Sequence, residues 1–386
     1  NRIYLLLLCI TLNYCLYANE YYTYDSIDST LHAWLRIFGE ENYQLPSYPE
    51  KDYGIIYDLD TIGYSSQMAL PIFAVKLSKN ANIVEDEARV LILGQCHAEE
   101  IYGVEISMEI IECYLYPNEC YLNYHLSYLE EVLSKSLEKV DLWIVPTHNP
   151  EGLKVVHGYC DDGNSVTITD CNINNGNWIE DPTYRKNIRD AVNFGTFDYV
   201  AGVGQDEDGV DLNRNYDVNW IFGDEFLEQT NSCNNNYNDD YDYYRGSAPF
   251  SEKEILAVRN LAIEKKFLLS FAYHSSRSGC VAEKVVFPWG WKDQGNSDNQ
   301  RKISPDYSII KYLGDKLHQI LEFPSADFAV PQGSRTGNAH DWLYRETGCI
   351  QYLIEVGEFN YDHGIGDEPQ NSYYDPADGL LIDNKY

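Results

Sequence analysis

Apolar residues recur at helical spacing in DSIDSTLHAWLRIFGEE, where Leu31, Trp34, Leu35 and Phe38 share a face and Ser26 or Asp28 can cap the start. Two strand-like runs follow, IIYDLDTIGYS and LPIFAVKLS. In ARVLILGQCHAEE an apolar strand from Val90 to Leu93 meets a glycine and switches to a helical pattern from about Ala98 to Leu115. A second helix, Leu122 to Lys139, leads into the apolar run LWIVPTHNP. This alternation predicts an α/β domain with a largely buried central sheet. Farther on, Ser251 and Glu254 have the spacing of a capping box for the helix SEKEILAVRNLAIEKK. FLLSFAYHSS reads as a buried strand ending in polar residues, DYSIIKYLGDKLHQILE as an amphipathic helix, and CIQYLIEVGE as the last strong strand. Residues 158–209 and 222–244 are rich in Asn, Asp and Gly without periodicity and read as surface excursions. No repeat is visible, and no linker separates independent domains.

The start of the chain changes the picture of where it works. Residues 3–18 form an apolar run behind Arg2, ending in the small Ala18 before Asn19 and Glu20. That is the plan of a secretory signal peptide, and it falls short of the roughly 20 residues a membrane span needs. Cys9 and Cys15 lack the small residues that precede a lipidated cysteine. The protein is therefore expected to be secreted, periplasmic or extracellular, with no stable membrane association once residues 1–18 are removed. The missing initiator Met and the polar tail after Glu358 read as signs of an incomplete sequence.

Charge narrows the partners. With 61 acidic and 28 basic side chains the net charge is −33, against a nucleic-acid or acidic-lipid partner, since both require clustered Lys and Arg. At 44 % hydrophobic residues the chain still has enough apolar material for a packed core. Beyond the signal lie Cys96, Cys113, Cys120, Cys160, Cys171, Cys233, Cys280 and Cys349, and an oxidising compartment would let some of them pair. Cys160 and Cys171 bracket a polar loop and are the favoured pair. No CxxC is present, so a thiolate zinc site is not expected. The acidic runs Asp206 to Asp208 and Asp239 to Asp242 could take calcium, but neither has EF-hand spacing.

Candidate chemistry gathers at strand ends. His97 and Glu100 stand three apart where a strand gives way to a helix, so that one turn can converge both on one ion. His274 ends the FLLSFAYHSS strand, and the carboxyl edge of an α/β sheet is where ligands usually bind. Two His and one Glu, with a water as fourth ligand, form a catalytic zinc set whose water can attack a carbonyl at neutral pH. Glu355, ending YLIEVGE, can act as general base and return the proton to a leaving amine. In GVDLNRNYDVNW, Asn213 and Arg214 suit a free terminal carboxylate, which a guanidinium fork binds through two bonds. In YRKNIRD, Arg185, Lys186 and Arg189 are candidates to polarise a scissile carbonyl. His32, His125 and His318 on predicted helices and His148 before the Asn149-Pro150 turn read as structural.

Together GQCHAEE, IVPTHNPEGL, YRKNIRD, GVDLNRNY, YYRGSAPFSEKE, FAYHSS, VFPWGW, GNAHDWLY and YLIEVGE resemble, in order, the zinc carboxypeptidase family of carboxypeptidases A and T. The resemblance reaches from residue 94 to 358 and, through LDTIGYSSQMALPIFAVKLS, over nearly all of the mature chain. It implies a single domain with a mixed, eight-stranded sheet between helices. Residues 19–52 would be a short lead-in, too small for a large inhibitory prodomain, and residues 53–386 the catalytic domain. It further implies one zinc ion on His97, Glu100 and His274, Glu355 as base, and Asn213 with Arg214 on the carboxylate of a peptide or protein C-terminus. The protein is expected to act as a monomer. For the carbonyl, Arg189 is preferred and Arg185 held in reserve, because Ile188 occupies the position expected for the family's arginine.

Departures bear on substrate. DFAVPQGSRTGNAHDW lacks the tyrosine that closes over substrate in relatives, its nearest aromatic being Phe328. His340 occupies the pocket-floor position before Asp341 and would accept acidic or polar groups, or serve as a hydrogen-bond partner behind the pocket. Glu99 stands where some relatives have arginine. These departures keep open a muropeptide peptidase that cuts cell-wall amide bonds. A non-catalytic peptide-binding relative is the other alternative, against which the retained His97, Glu100, His274 and Glu355 argue.

Overall fold

The computed structural model describes residues 21–124, 128–160, 178–190, 208–221, 243–275, 283–292, 301–327 and 337–356. The expected signal peptide, Cys171, Cys233, Cys280, Asp206, Asp239 to Asp242, Phe328 and the tail after Glu358 lie outside them. The first part runs α1 (Tyr24–Phe38), β1 (Tyr57–Tyr64), β2 (Pro71–Leu77), β3 (Ala88–Gln95), α2 (Tyr102–Leu115), α3 (Pro117–Tyr124), α4 (Leu129–Leu137), β4 (Val140–Thr147) and α5 (Pro150–His157). Next come β5 (Tyr159–Cys160), β6 (Trp178–Ile179), a 3₁₀ turn at Leu212–Arg214, α6 (Lys253–Lys265), β7 (Leu269–Ser275), β8 (Lys284–Val286) and β9 (Gly290–Lys292). The last are β10 (Arg301–Ile303), α7 (Tyr307–Ile320), β11 (Ser325–Asp327), α8 (Ala339–Thr347) and β12 (Ile350–Val356).

Eight strands form one mixed sheet in the order β1-β2-β4-β3-β7-β12-β8-β11. Its centre, β4-β3-β7-β12, is parallel, while β2 and β8 flank it antiparallel. The period of two along each strand sends alternate residues to two different cores. Phe73, Val75, Ile92, Leu142 and Ile144 face α1, α2, α4 and α5, with Ile27, Leu31, Met108, Leu133 and Leu153. Ile72, Ala74, Leu91, Leu93, Trp143 and Val145 face α6 and α8, with Val258, Leu261, Trp342 and Leu343. Each Val, Leu, Ile, Phe or Met among them stabilises the fold by about 1.5–3 kcal/mol on full burial. A third, smaller cluster joins Val285, Phe287, Ile310 and Tyr352 beneath α7.

Several local expectations shift. The cap of α1 is Thr23, whose Oγ1 accepts from Ser26 N, rather than Ser26 or Asp28. This helix lies within the 19–52 lead-in yet packs on the sheet, where Tyr57 Oη donates to Leu31 O. The helix expected over Leu122 to Lys139 begins earlier and is two helices, α3 and α4. Cys113 and Cys120, at the α2–α3 break, form a disulfide that spacing did not suggest. Cys160 is also disulfide-bonded, and its expected partner Cys171 lies outside the described residues. Buried Cys96 and Cys349 are free thiols. The capping box at α6 does not form, since Glu252 is the N-cap and no side chain caps the helix.

Candidate active site

Three parallel neighbours, β3, β7 and β12, end on the same edge of the sheet. Strand β12 pairs residue for residue with β7, which sets Glu355 opposite His274. His97 stands two residues past the end of β3. Helix α2 comes close enough to that edge to carry Glu100 because residue 103 is glycine, and a Cβ there would lie 2.8 Å from Gly94 C and 2.9 Å from Gln95 N.

At this edge His97 Nδ1 lies 2.8 Å from Glu100 Oε1 and 3.1 Å from His274 Nδ1, while His274 Nδ1 lies 2.7 Å from Glu100 Oε2. All three side chains are buried. These separations fit donors to zinc, since ligand distances of about 2.0–2.1 Å put neighbouring corners of a tetrahedron about 3.3 Å apart. Two Nδ1 atoms that face each other cannot both present N–H groups; a cation between them resolves the conflict. Burial opposes ionisation of Glu100, but the adjacent imidazoles outweigh it and hold the carboxyl well below the usual range. The other close grouping among the described residues, Glu109 with Cys113 and Cys120, has both sulfurs in the disulfide and no thiolate to offer.

Arg185 is buried against this centre. Its Nε donates to Asp211 Oδ2 at 3.0 Å, its Nη2 lies 2.8 Å from His97 Nε2, and its Nη1 lies 3.5 Å from Glu99 Oε1 and from Glu100 Oε1. Burial opposes the guanidinium charge, yet Asp211 and Glu99 keep its pKa well above the ordinary value. Arg189 goes elsewhere, with Nη1 donating to Ser251 O at 2.8 Å and Glu252 Oε1 at 2.7 Å. Ile188 separates the two by inserting into the apolar core, 1 % exposed. Only Arg185 of this pair therefore meets the zinc donors.

Asn213 and Arg214 occupy the 3₁₀ turn, whose first N–H groups are held by Asp211: Asn213 N donates to Asp211 Oδ1 at 2.9 Å. Arg214 is 2 % exposed, and its Nη1 donates to Asn213 O at 2.8 Å and to Asn338 Oδ1 at 3.2 Å. Asn213 Oδ1 accepts from Ala339 N at 2.9 Å, so the turn is docked onto the start of α8. Gly337 permits this approach, because at φ +68° a Cβ would run into the carbonyl of Arg214. His340 follows on α8, buried, with Nε2 3.5 Å from Asp341 Oδ1.

Two further residues belong to the site and were not singled out from sequence. Asp211 joins Arg185, His97 and the turn of Asn213; its place in GVDLNRNY was the available signal. Tyr243 offers its ring to both guanidinium groups, with Cζ of Arg185 5.0 Å and Cζ of Arg214 5.6 Å from the centroid. Nothing in its sequence neighbourhood distinguishes it from Tyr244. His148 is buried, and burial together with His274 and His97 pushes its pKa down to about 3, so it stays neutral.

A sheet edge with this donor set defines a metallopeptidase-like centre. The sequence profile of the zinc carboxypeptidase family (Peptidase_M14) matches residues 47–375, and the chain belongs to that family. His97, Glu100 and His274 are its zinc site. Human mast cell carboxypeptidase A is 26 % identical over 242 residues, 60 % of this chain and 45 % of that protein. Carboxypeptidase B of Astacus astacus is 23 % identical over 340 residues, 87 % of this chain and 86 % of that protein. The chain thus spans less than half of the mast cell enzyme but most of the Astacus one. In fold it is similar to thrombin activatable fibrinolysis inhibitor, with TM-score 0.59 at 16 % identity over 95 % of this chain and 71 % of that one. A carboxypeptidase A from Helicoverpa armigera gives TM-score 0.59 at 16 % identity over 93 % and 69 %.

Proposed function

We propose that the protein is a secreted carboxypeptidase that hydrolyses the last peptide bond of peptides and proteins. Secretion rests on the apolar N-terminal run; no helix among the described residues is long and apolar enough to cross a membrane. When bound, zinc on His97, Glu100 and His274 supplies Lewis acidity. The chain's own residues do the rest. Arg214, beside Asn213, pairs with the terminal carboxylate and so selects a free C-terminus. Arg185 donates to the scissile carbonyl oxygen as negative charge develops on it, the role the sequence had assigned first to Arg189. Glu355 takes a proton from the attacking water and passes it to the departing amine. His340 is assigned to the pocket for the C-terminal side chain, where it would favour polar or acidic groups.

The observation that carries this reading is the convergence of the three zinc donors with Arg185, whose Nη2 is 2.8 Å from His97 Nε2. The test is a digest of a peptide library by zinc-loaded protein, read by mass spectrometry, with C-terminally amidated copies as controls. Loss of single C-terminal residues from free peptides alone is expected. Failure to shorten any free peptide, or equal action on amidated ones, would overturn the reading.

A further inference from the structure

Loop 184–190, which carries Arg185, and segment 208–216, which carries Arg214, are separate stretches of the chain, and one buried carboxylate from beyond both touches the supports of each. Glu252 Oε2 accepts from Asn187 Nδ2 at 2.7 Å, and Asn187 is two residues from Arg185. Asn187 also binds the second segment, since its Oδ1 accepts from Val210 N at 2.8 Å. On the other side Glu252 N donates to Asn215 Oδ1 at 3.1 Å, next to Arg214. Asn215 Nδ2 donates in turn to Ser251 Oγ at 2.9 Å, and Ser251 Oγ donates to Glu252 Oε1 at 2.7 Å. Arg189 supplies the countercharge to Glu252 Oε1 at 2.7 Å. Ser66 Oγ, from the β1–β2 turn, gives its single proton to Glu254 Oε2 at 2.5 Å and lies 3.3 Å from Glu252 Oε2.

A buried carboxylate held by Asn187, Ser251 and the cation Arg189 favours one arrangement of those donors, because each lost bond leaves its charge desolvated and less well paired. The residues that would have capped α6 are diverted into this junction, which explains why the helix starts without a side-chain cap. Resting on the carboxypeptidase reading above, we propose that Glu252 is a positioning residue. It sets the distance between the arginine for the scissile carbonyl and the arginine for the terminal carboxylate, through an Asn187 arm and an Asn215 arm.

The two arms give separable effects. Asn187→Ala is expected to lower kcat at least tenfold with KM within about threefold of wild type. Asn215→Ala is expected to raise KM at least tenfold with the smaller change in kcat. Glu252→Gln keeps the size of the side chain but turns one acceptor into a donor facing Asn187, and should show both effects while still binding one zinc ion per chain. It should also weaken calorimetric binding of N-acetyl amino acids to zinc-loaded protein at least tenfold. A folded, zinc-loaded Glu252→Gln protein that binds these ligands and turns over peptides as wild type does would overturn the proposal, as would identical kinetic profiles for the two asparagine variants. If Glu252→Gln does not fold, the asparagine pair decides. If wild type cleaves no peptide, the carboxypeptidase reading fails, and the ligand titration of all three variants still decides whether Glu252 positions the arginines.

Discussion

Arg185 Nε donates to Asp211 Oδ2 at 3.0 Å, and the other oxygen of that carboxylate lies 3.2 Å from Nε2 of His97. One fully buried acid thus orients both a zinc ligand and the cation beside it. Partners of this kind fix the ring of a metal-binding histidine, and their loss typically costs about 10–100-fold in metal affinity or activity. Asp211→Asn is expected to weaken zinc binding by that factor and to lower kcat as well, because Arg185 loses its charged acceptor. Competition with a chelator of known affinity measures the first effect. Unchanged zinc affinity would mean that Asp211 serves Arg185 and the 3₁₀ turn but not the zinc ligand.

Tyr243 lies against Arg185 and Arg214 at 5.0 and 5.6 Å and is itself buried. Cation–π contacts contribute about 0.5–2 kcal/mol each, more when desolvated. Tyr243→Phe keeps the ring and should stay within a few-fold of wild type in kcat/KM. Tyr243→Leu should lose about 5–30-fold, the equivalent of about 1–2 kcal/mol. Steady-state kinetics on a peptide with a free C-terminus compares the two; a loss shared equally by Phe and Leu would assign the effect to the hydroxyl instead.

Glu254 lies beside Glu252 in α6, and burial together with the charge of Glu151 raises its pKa from 4.5 to about 7. Ser66 N donates to its Oε1 at 2.9 Å. With the folded value above the unfolded one, the native protein holds a proton that the unfolded chain releases between these two pKa values. Stability therefore falls as pH rises from about 4.5 to about 7, by up to about 1.4 kcal/mol per pH unit from this one group. Glu254→Gln, which mimics the protonated acid, should raise the Tm relative to wild type at pH 8 and leave it nearly unchanged at pH 4.5. Denaturation curves at the two pH values check this, and equal shifts at both would exclude the titration.

How much of this was legible in the sequence depended on distance along the chain. His97, Glu100, His274 and Glu355 sit where strands end, and strand ends follow from apolar runs such as Val90 to Leu93 and Tyr352 to Ile354. Which of Arg185 and Arg189 lies against the zinc donors was not legible. It depends on Glu252, 63 residues from Arg189, and on Ile188 inserting into the core between them. The same holds at α6, where Ser251 and Glu254 have cap spacing but are recruited by Asn215 and Ser66. The Cys113–Cys120 bond spans a break at Tyr116, before Pro117; the sequence ended a helix at Leu115 but began the next only at Leu122, and so missed the turn of helix from Pro117 that brings Cys120 back to Cys113.

Glu355 differs from the zinc donors in a way that predicts what its removal does. It pairs in register with His274 across β12 and β7, yet it is only half-buried, whereas the three residues whose ligand atoms lie within 4.8 Å of one another are buried. A carboxylate held at the metal's edge but outside its ligand set can exchange protons with water without holding the ion. Glu355→Gln should therefore keep one zinc ion per chain and bind N-acetyl amino acids with affinity close to wild type. Turnover should fall at least 100-fold, the lower end of what a positioned general base contributes. Zinc content by metal analysis, ligand affinity by calorimetry and kcat on a free peptide separate these effects. Zinc loss in the variant would make Glu355 a ligand, and retained turnover would move the base to another residue.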